Sequence, residues 1–81
     1  MKSAFENLVH LNHHIGKECA WCRKQTVESF CQYLLEEAKE VQEAIQQNDA
    51  DEFREELGDL LWNVVFMTRL AEKQGLFTME E

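Results

Sequence analysis

Two pairs of acidic side chains in this 81-residue chain have a spacing typical of a metal site. Glu37 and Glu40 are three residues apart in the sequence, and so are Glu56 and Asp59. Residues three apart are neighbours on one face of a helix, with Cβ atoms about 5–6 Å apart. Four converging carboxylates repel one another unless a cation is bound, and hard cations such as Mg²⁺ prefer oxygen ligands. The spacing therefore predicts a Mg²⁺ site, with Mn²⁺ as the alternative cation, although solvated acidic helix faces are also common.

A short turn between the acidic pairs predicts that their two helices run antiparallel. Thr26 is a suitable N-cap for the first of these helices, which we expect to end near Gln47. The turn is Asn48-Asp49-Ala50, and Asp49 is followed three residues later by a glutamate, as in a capping box. The second of these helices should end at Gly75. Such a hairpin would bring the four carboxylates to one interhelical groove, where helical bundles build metal sites.

The N-terminal part of the chain is predicted to form one further helix and a loop. Apolar residues at helical spacing indicate a helix over residues 4–14, with Gly16 as a natural C-terminal cap. Residues 17–25 would then form a loop, and Thr78 would begin another helix at the end of the chain. Proline is absent and glycine is rare, so little interrupts helix formation. The predicted fold class is an all-α antiparallel helical bundle.

Helical phase gives the helix that follows the turn an apolar stripe. The stripe consists of Phe53, Leu57, Leu60, Val64 and Ala71. Trp62, Val65 and Phe66 lie on the opposite side, so the second half of this helix is apolar almost all round. Because three helices cannot bury such a helix on every side, we expect a homo-oligomer, a dimer or tetramer, with these three side chains between chains.

The composition excludes several classes of protein. The net charge of −8 argues against a nucleic-acid partner, since proteins that bind nucleic acid are normally basic. The longest apolar run, residues 60–67, is too short to cross a membrane, and the N-terminus lacks an apolar signal core. Three cysteines are an odd number and do not indicate a secreted disulfide framework. We therefore expect a cytoplasmic protein without a membrane partner.

The cysteines allow a second kind of site. Cys19 and Cys22 form a C-x-x-C pair, and His10 and His13 precede them, a set that could hold zinc tetrahedrally. A thioredoxin-like redox site is less favoured, because no βαβ pattern surrounds the pair. Cys31 falls on the predicted core side of its helix and should serve packing.

Four segments of the chain combine into one recognisable pattern. They are Cys19-Ala20-Trp21-Cys22-Arg23-Lys24-Gln25-Thr26, Tyr33-Leu34-Leu35-Glu36-Glu37-Ala38-Lys39-Glu40, Glu55-Glu56-Leu57-Gly58-Asp59-Leu60-Leu61 and Gly75-Leu76-Phe77. Together they resemble the MazG family of nucleoside triphosphate pyrophosphohydrolases, in register over nearly the whole chain. The resemblance implies that residues 1–81 form a single MazG-like domain with the all-α fold of these pyrophosphatases, completed by oligomerisation.

The resemblance also implies a reaction and the residues that perform it. Family members hydrolyse a nucleoside triphosphate to the monophosphate and pyrophosphate with Mg²⁺, in house-cleaning of nucleotide pools. By position, Glu37, Glu40, Glu56 and Asp59 would be the metal ligands. Glu36 would be an outer ligand or would orient the attacking water, which makes all five carboxylates candidate catalytic residues.

Three further residues are candidates for binding the substrate. Trp21 could stack on a base or seal its loop against the bundle. Asn63 lies one turn after Asp59 and could hydrogen-bond the substrate or be an ordinary polar residue at the helix flank. Lys24 is a candidate phosphate partner, although such residues are more often solvated.

The chain departs from the family pattern at Ala20 and Cys22, where proline and aspartate are usual. The family also continues past Glu81 into a further helix and a basic segment, so a truncation before that helix stays open. Two alternatives follow for the function. One is a relative with a narrower substrate, dUTP or a phosphoribosyl nucleotide. The other is a catalytically inactive helical module for oligomerisation or regulation.

Overall fold

The computed structural model describes residues 3–80, which contain four α-helices and no strand. In chain order these are α1 (Ala4–Glu18), α2 (Ala20–Arg23), α3 (Val27–Gln46) and α4 (Ala50–Lys73). Helix α4 packs against α3 and α1, and α1 also packs against α2. In this part of the chain no helix is long and apolar enough to cross a membrane. The predicted all-α fold class is confirmed.

The turn between α3 and α4 is fixed by two backbone hydrogen bonds and a cap. Asn48 adopts a left-handed conformation with φ 55°. Its N–H donates to the Ile45 carbonyl at 3.1 Å, and the Asp49 N–H donates to the Ala44 carbonyl at 3.2 Å. This is the Schellman arrangement that ends a helix. The Asp49 carboxylate then accepts from the Glu52 N–H at 3.1 Å, so Asp49 begins α4 as predicted.

The other ends of the hairpin follow the sequence predictions as well. The Thr26 hydroxyl accepts from the Ser29 N–H and the Ser29 hydroxyl accepts from the Thr26 N–H, which forms a reciprocal capping box. Gly75, with φ 78°, ends α4. The Gln74 side-chain oxygen accepts from the Val27 N–H at 2.9 Å, so the start of α3 is tied to the end of α4.

The first helix is longer than predicted, because Gly16 is not its cap. Helix α1 continues to Glu18, and Gly16 is buried within it. The guanidinium of Arg69 lies against this glycine, at the position that a Cβ atom would occupy. The role of Gly16 is therefore to leave room for the Arg69 side chain of α4 beside α1, and not to end the helix. The predicted loop over residues 17–25 is also wrong in part, since it contains the short helix α2.

Two smaller predictions are wrong too. Cys31 is exposed on α3 and is not part of the core. No helix begins at Thr78 within the described residues, where residues 79–80 form only a turn. Glu81, the last residue of that predicted helix start, lies outside the described residues.

The core lies on the side of α4 that helical phase assigned to a neighbouring chain. Val65 and Phe66 are only 4% and 2% exposed, and the Phe66 ring lies 4.6 Å from that of Phe30 on α3. Leu57 and Val64 of the predicted core stripe are 45% and 46% exposed. The prediction that Val65 and Phe66 lie between chains is therefore wrong. Helices α1 and α3 of the same chain cover this side of α4.

The conformation of Asn48 leads to a test of the turn. A left-handed conformation costs a residue with a Cβ atom roughly 1–2 kcal/mol, whereas glycine adopts it freely. We expect Asn48→Ala to have a free energy of unfolding about 1 kcal/mol lower than Asn48→Gly. Denaturant titration of both variants measures this difference, with Gln47→Ala in the right-handed region as the control. Equal stability of the two Asn48 variants would contradict the turn geometry.

Candidate metal centre and adjoining cavity

Three of the four predicted metal ligands converge between α3 and α4. Glu37, Glu56 and Asp59 each offer one carboxylate oxygen, and these oxygens lie within 4.8 Å of one another. Glu56 is buried, Glu37 is half-buried and Asp59 is exposed. The cluster is therefore closed towards the protein interior and open on one side to solvent.

Glu40 and Glu36 lie around this cluster and not within it. Glu40 is exposed, and its carboxylate does not belong to the set of three whose oxygens converge. It is nevertheless close enough for its side chain to interact with both Glu37 and Glu56. Glu36 is exposed and borders the cavity beside the cluster. Helical spacing thus predicted the shared face, but it did not distinguish the three innermost carboxylates from their neighbours.

Two oxygens of the cluster are buried without a hydrogen-bond donor. They are Oε1 of Glu37 and Oε2 of Glu56. Among residues 3–80, no lysine or arginine forms an ion pair with either carboxylate. A buried polar atom without a partner is costly, and a buried charge more so. These two oxygens therefore require either a shared proton or a cation.

The proton affinities of the cluster reflect this requirement. Hydrogen bonding with Glu37, then with Glu40, together with burial raises the pKa of Glu56 to about 9. Burial is the main cause that raises the pKa of Glu37, with the charges of Glu40 and Asp59 adding to it. Without a cation, a proton held between Glu37 and Glu56 supplies the missing donor. A divalent cation is the other species that fits, because the donors are all hard carboxylate oxygens.

An aromatic cavity of about 230 Å³ adjoins the carboxylates. Its lining includes Glu36, Glu37 and Glu40. Five aromatic side chains form its walls: Trp21, Phe30, Tyr33, Trp62 and Phe66. Asn63 is the amide in the lining. The cavity therefore presents a flat apolar surface next to a cation-binding set of oxygens.

Edge-to-face contacts hold Trp21 at the cavity wall. Its ring centroid lies 5.4 Å from that of Tyr33 with an interplanar angle of 72°, and 6.2 Å from that of Phe30. Such arrangements are the favoured geometry for aromatic pairs. Trp21 remains half exposed, so one part of its ring is free for a ligand.

The three predicted substrate-binding residues are not all at this cavity. Trp21 and Asn63 line it, whereas Lys24 does not. Lys24 is the exposed C-cap of α2, and its role in binding phosphates stays a prediction. Sequence reasoning missed Tyr33 as a cavity residue and assigned Trp62 to an interface between chains. The spacing of Tyr33 and Trp62 from the carboxylates in the sequence would have indicated that both line the cavity.

Tyr33 and Trp62 each lie on the same face of their helix as one of the carboxylates. Tyr33 lies four residues before Glu37 on α3, and Trp62 lies three residues after Asp59 on α4. Residues three and four apart are neighbours on a helix. Extending the carboxylate face by one turn on each helix would therefore have found both aromatic side chains.

The zinc set predicted as an alternative does not form. Among residues 3–80, the cluster of Glu37, Glu56 and Asp59 is the only group of three or more acidic, cysteine or histidine side chains with ligand atoms within 4.8 Å of one another. His10 and His13 are thus not brought together with the C-x-x-C pair. All three cysteines are free.

Comparison with known proteins gives the chain a family. Residues 25–81 match the model of the MazG nucleotide pyrophosphohydrolase domain. The chain is 44% identical over 79 residues to the nucleoside triphosphate pyrophosphohydrolase/pyrophosphatase MazG of Thermotoga maritima, covering 95% of this chain and 31% of that protein. It is 43% identical over 63 residues to the nucleoside triphosphate pyrophosphohydrolase of Escherichia coli K12, covering 78% of this chain and 24% of the relative. The chain spans less than a third of the length of either relative.

A solved structure has the same fold. The crystal structure of a MazG-related protein from Thermotoga maritima superposes with a TM-score of 0.87 at 28% sequence identity. The match covers 93% of this chain and 66% of that one. The helical architecture, the family model and the sequence relatives agree, and this chain therefore belongs to the MazG nucleotide pyrophosphohydrolase family.

Proposed function

We propose that this chain carries the active site of a Mg²⁺-dependent nucleoside triphosphate pyrophosphohydrolase. The reaction is hydrolysis of the bond between the α and β phosphates, which yields the monophosphate and pyrophosphate. One observation carries the proposal: three carboxylate oxygens lie within 4.8 Å of one another, and two carboxylates of this set hold a buried oxygen without a donor. Family membership supports the substrate class.

Glu37, Glu56 and Asp59 would hold the cation, with Glu40 as the fourth ligand from the same groove. When bound, Mg²⁺ neutralises charge on phosphate oxygens and lowers the pKa of a coordinated water. With a net charge of −8, the protein also needs a cation between itself and a polyanionic substrate. Mn²⁺ has the same preference for oxygen donors and is the alternative.

A carboxylate outside the innermost three would bind the attacking water and accept its proton. Glu36 borders the cavity and is exposed, so it is free to accept a hydrogen bond from a water molecule. In this position it would orient the attacking water or act as an outer ligand, and a general base must lie within hydrogen-bond reach of the proton that it removes. Pyrophosphate would leave on the side open to solvent.

The aromatic cavity would take the base of the nucleotide. Its volume of about 230 Å³ is below the roughly 300–1,000 Å³ of sites that enclose a whole drug-sized ligand. The base would stack on Trp21 or Tyr33 and hydrogen-bond to Asn63, while the phosphates lie outside along the carboxylates. Lys24 would contact the phosphate chain from the rim. The physiological role would be house-cleaning of nucleotide pools in the cytoplasm.

An apolar face of α4 supports assembly into a homo-oligomer, a dimer or tetramer. Leu57, Leu61 and Val64 are all exposed, and their i, i+4, i+7 spacing places them on one side of the helix. Exposed apolar side chains at this helical spacing are typical of an interface between helices. We propose that a second copy of the chain covers this face, in place of the Val65 and Phe66 side.

The first prediction from the proposal concerns metal and activity together. Mg²⁺ at a hundred times its dissociation constant should stabilise the fold by about 2.7 kcal/mol by mass action. Glu56→Gln and Asp59→Asn should abolish this stabilisation and lower pyrophosphate release by at least about 100-fold. The measurements are melting with Mg²⁺ or EDTA, and pyrophosphate release from a panel of nucleoside triphosphates that includes dUTP.

Glu55→Gln is the matched control, because Glu55 is exposed and lines neither the cavity nor the cluster. It should leave both stabilisation and release nearly intact. Equal losses for Glu55→Gln and Glu56→Gln would contradict the proposed site. Metal stabilisation without pyrophosphate release from any nucleotide would favour the inactive module, and release from one nucleotide alone would favour the narrower enzyme.

A second prediction concerns pH in the absence of metal. The pKa of Glu56 is about 9 in the folded chain and 4.5 in its ordinary state, so the folded state binds more protons between these values. The free energy of unfolding therefore falls as the pH rises from 4.5 to about 9. In this range the native state binds a proton that the unfolded state does not bind, so a lower pH favours folding. The melting temperature in EDTA should decrease from pH 5 to pH 9.

Glu56→Gln should flatten this dependence, because the amide cannot titrate, and its melting temperature at pH 8 should be equal to or above that of the unmutated chain. Glu55→Gln should keep the full slope. A melting temperature in EDTA that rises with pH over this range would show that the Glu56 carboxylate is ionised in the native state.

The third prediction concerns assembly. Leu61→Asp places a charge on the exposed apolar face and should convert a dimer or tetramer into a monomer with unchanged helix content. Leu35→Asp is the control, since Leu35 is 69% exposed on a different helix. Light scattering at micromolar concentration gives the mass of each species. A monomeric unmutated chain at this concentration would rule out the proposed oligomer.

A further inference from the structure

The cysteine pair at the start of α2 has a geometry suited to thiol chemistry. Cys19 is the N-cap of this helix, and its Sγ accepts a hydrogen bond from the Cys22 N–H at 3.3 Å. A disulfide joins residues whose Cβ atoms are about 3.5–4.5 Å apart. Since the Cys19 sulfur already lies 3.3 Å from the Cys22 backbone nitrogen, rotation of the two side chains is the main movement needed to join the sulfurs.

The two thiols differ in the way that an attacking and a resolving thiol must differ. Cys19 is half-buried, and hydrogen bonds from Cys22 lower its pKa, with the nearby charge of Arg23 adding to the effect. Cys22 is buried, and burial is the main cause that raises its pKa to about 11. The thiolate is the reactive form of cysteine, so Cys19 is the thiol that reacts first with an external reagent.

The pair is also joined to the aromatic cavity. Cys22 belongs to the buried core cluster with Phe30, Phe66 and Leu70, and it lines the cavity. Trp21, whose ring forms part of the cavity wall, lies between the two cysteines in the sequence. Because Cys22 belongs to the same buried cluster as Phe30, a bond from its sulfur to Cys19 would change this packing and shift the segment that carries Trp21.

We propose that Cys19 and Cys22 form a thiol–disulfide site that reacts with a low-molecular-weight disulfide and reshapes the aromatic cavity. The Cys19 thiolate attacks one sulfur of the small disulfide, which forms a mixed disulfide and releases one small thiolate. Cys22 then passes its proton to the small thiolate released in the first step and attacks the Cys19 sulfur, which releases the second small thiolate. Overall, the protein dithiol is oxidised to a disulfide, and one small disulfide is reduced to two thiols.

This proposal does not depend on a thioredoxin-like βαβ unit. The approach of the Cys19 sulfur to Cys22 arises from the cap of α2, where this sulfur accepts from the Cys22 N–H. The formation of the disulfide is independent of the proposed function, whereas its effect on nucleotide binding rests on that function.

The test uses the full chain with Cys31→Ser, which removes the exposed third cysteine. The folded protein is incubated with oxidised glutathione, and the products are identified by mass spectrometry after digestion. We expect a Cys19–Cys22 disulfide, seen as a mass lower by two hydrogen atoms, together with a change in tryptophan fluorescence. Dithiothreitol should reverse both changes.

Variants separate the two steps. Cys22→Ser should stop at a stable glutathione adduct on Cys19, and Cys19→Ser should leave Cys22 unmodified because that thiol is buried. A chain with only Cys31 gives the reaction rate of an ordinary exposed thiol, and Cys19 should react several-fold faster. A stable adduct on Cys19 in the chain that retains both cysteines, or a Cys19 rate no higher than that of Cys31, would overturn the proposal.

Pyrophosphate release then tests the effect on the cavity. Oxidation should raise the KM for the nucleotide severalfold with little change in kcat, and dithiothreitol should restore it. An unchanged KM in an active, fully oxidised enzyme would overturn the effect on the cavity. If neither redox state releases pyrophosphate, the proposed function fails, while the disulfide and the fluorescence change still decide the thiol–disulfide site.

Discussion

The main constraint on the structure is the close approach of two carboxylates, Glu37 and Glu56, between its two longest helices. Glu37 on α3 and Glu56 on α4 each hold a buried oxygen without a hydrogen-bond donor. One oxygen from each of Glu37, Glu56 and Asp59 also lies within 4.8 Å of the other two. Such an arrangement is unfavourable for three ionised groups, because like charges in a poorly solvated site repel strongly. A proton shared between Glu37 and Glu56 would relieve this repulsion, and so would the divalent cation that we propose. The arrangement of the carboxylates is the physical reason for proposing a cation site here.

The hairpin of α3 and α4 brings these two carboxylates together, and its turn determines how the two helices are aligned. Asn48 and Asp49 end α3 and begin α4 within one turn, so the register of the two helices is fixed close to the acidic cluster. Helix α2 supplies Trp21 to the wall of the adjoining cavity. Helix α1 is joined to α4 by a hydrogen bond from the Asn12 side chain to the Trp62 carbonyl at 3.1 Å. Of the five aromatic wall residues only Trp21 comes from α2, whereas the carboxylates come from α3 and α4. Redox chemistry at α2 would therefore act on the cavity through Trp21 and Cys22 and not through the helices that carry the carboxylates.

Local signals in the sequence predicted much of this arrangement. The spacing of the acidic pairs, the caps at Thr26 and Asp49 and the stop at Gly75 depend on neighbouring residues only, and all of them are present in the structure. The buried face of α4 was not predictable in the same way. Both sides of that helix are apolar, so periodicity cannot tell which of them is covered within the chain. The burial of Glu56 and the close approach of Arg69 to Gly16 likewise depend on contacts between distant segments.

The most direct test of the account is to locate a bound cation. Crystals of the chain grown with millimolar Mn²⁺ would show the ion by its anomalous scattering. We predict a peak coordinated by carboxylate oxygens of Glu37, Glu56 and Asp59, and its loss in crystals of Glu56→Gln. Ordered carboxylates with no anomalous peak between them, or a peak held by other residues alone, would show that this cluster is not a divalent-cation site.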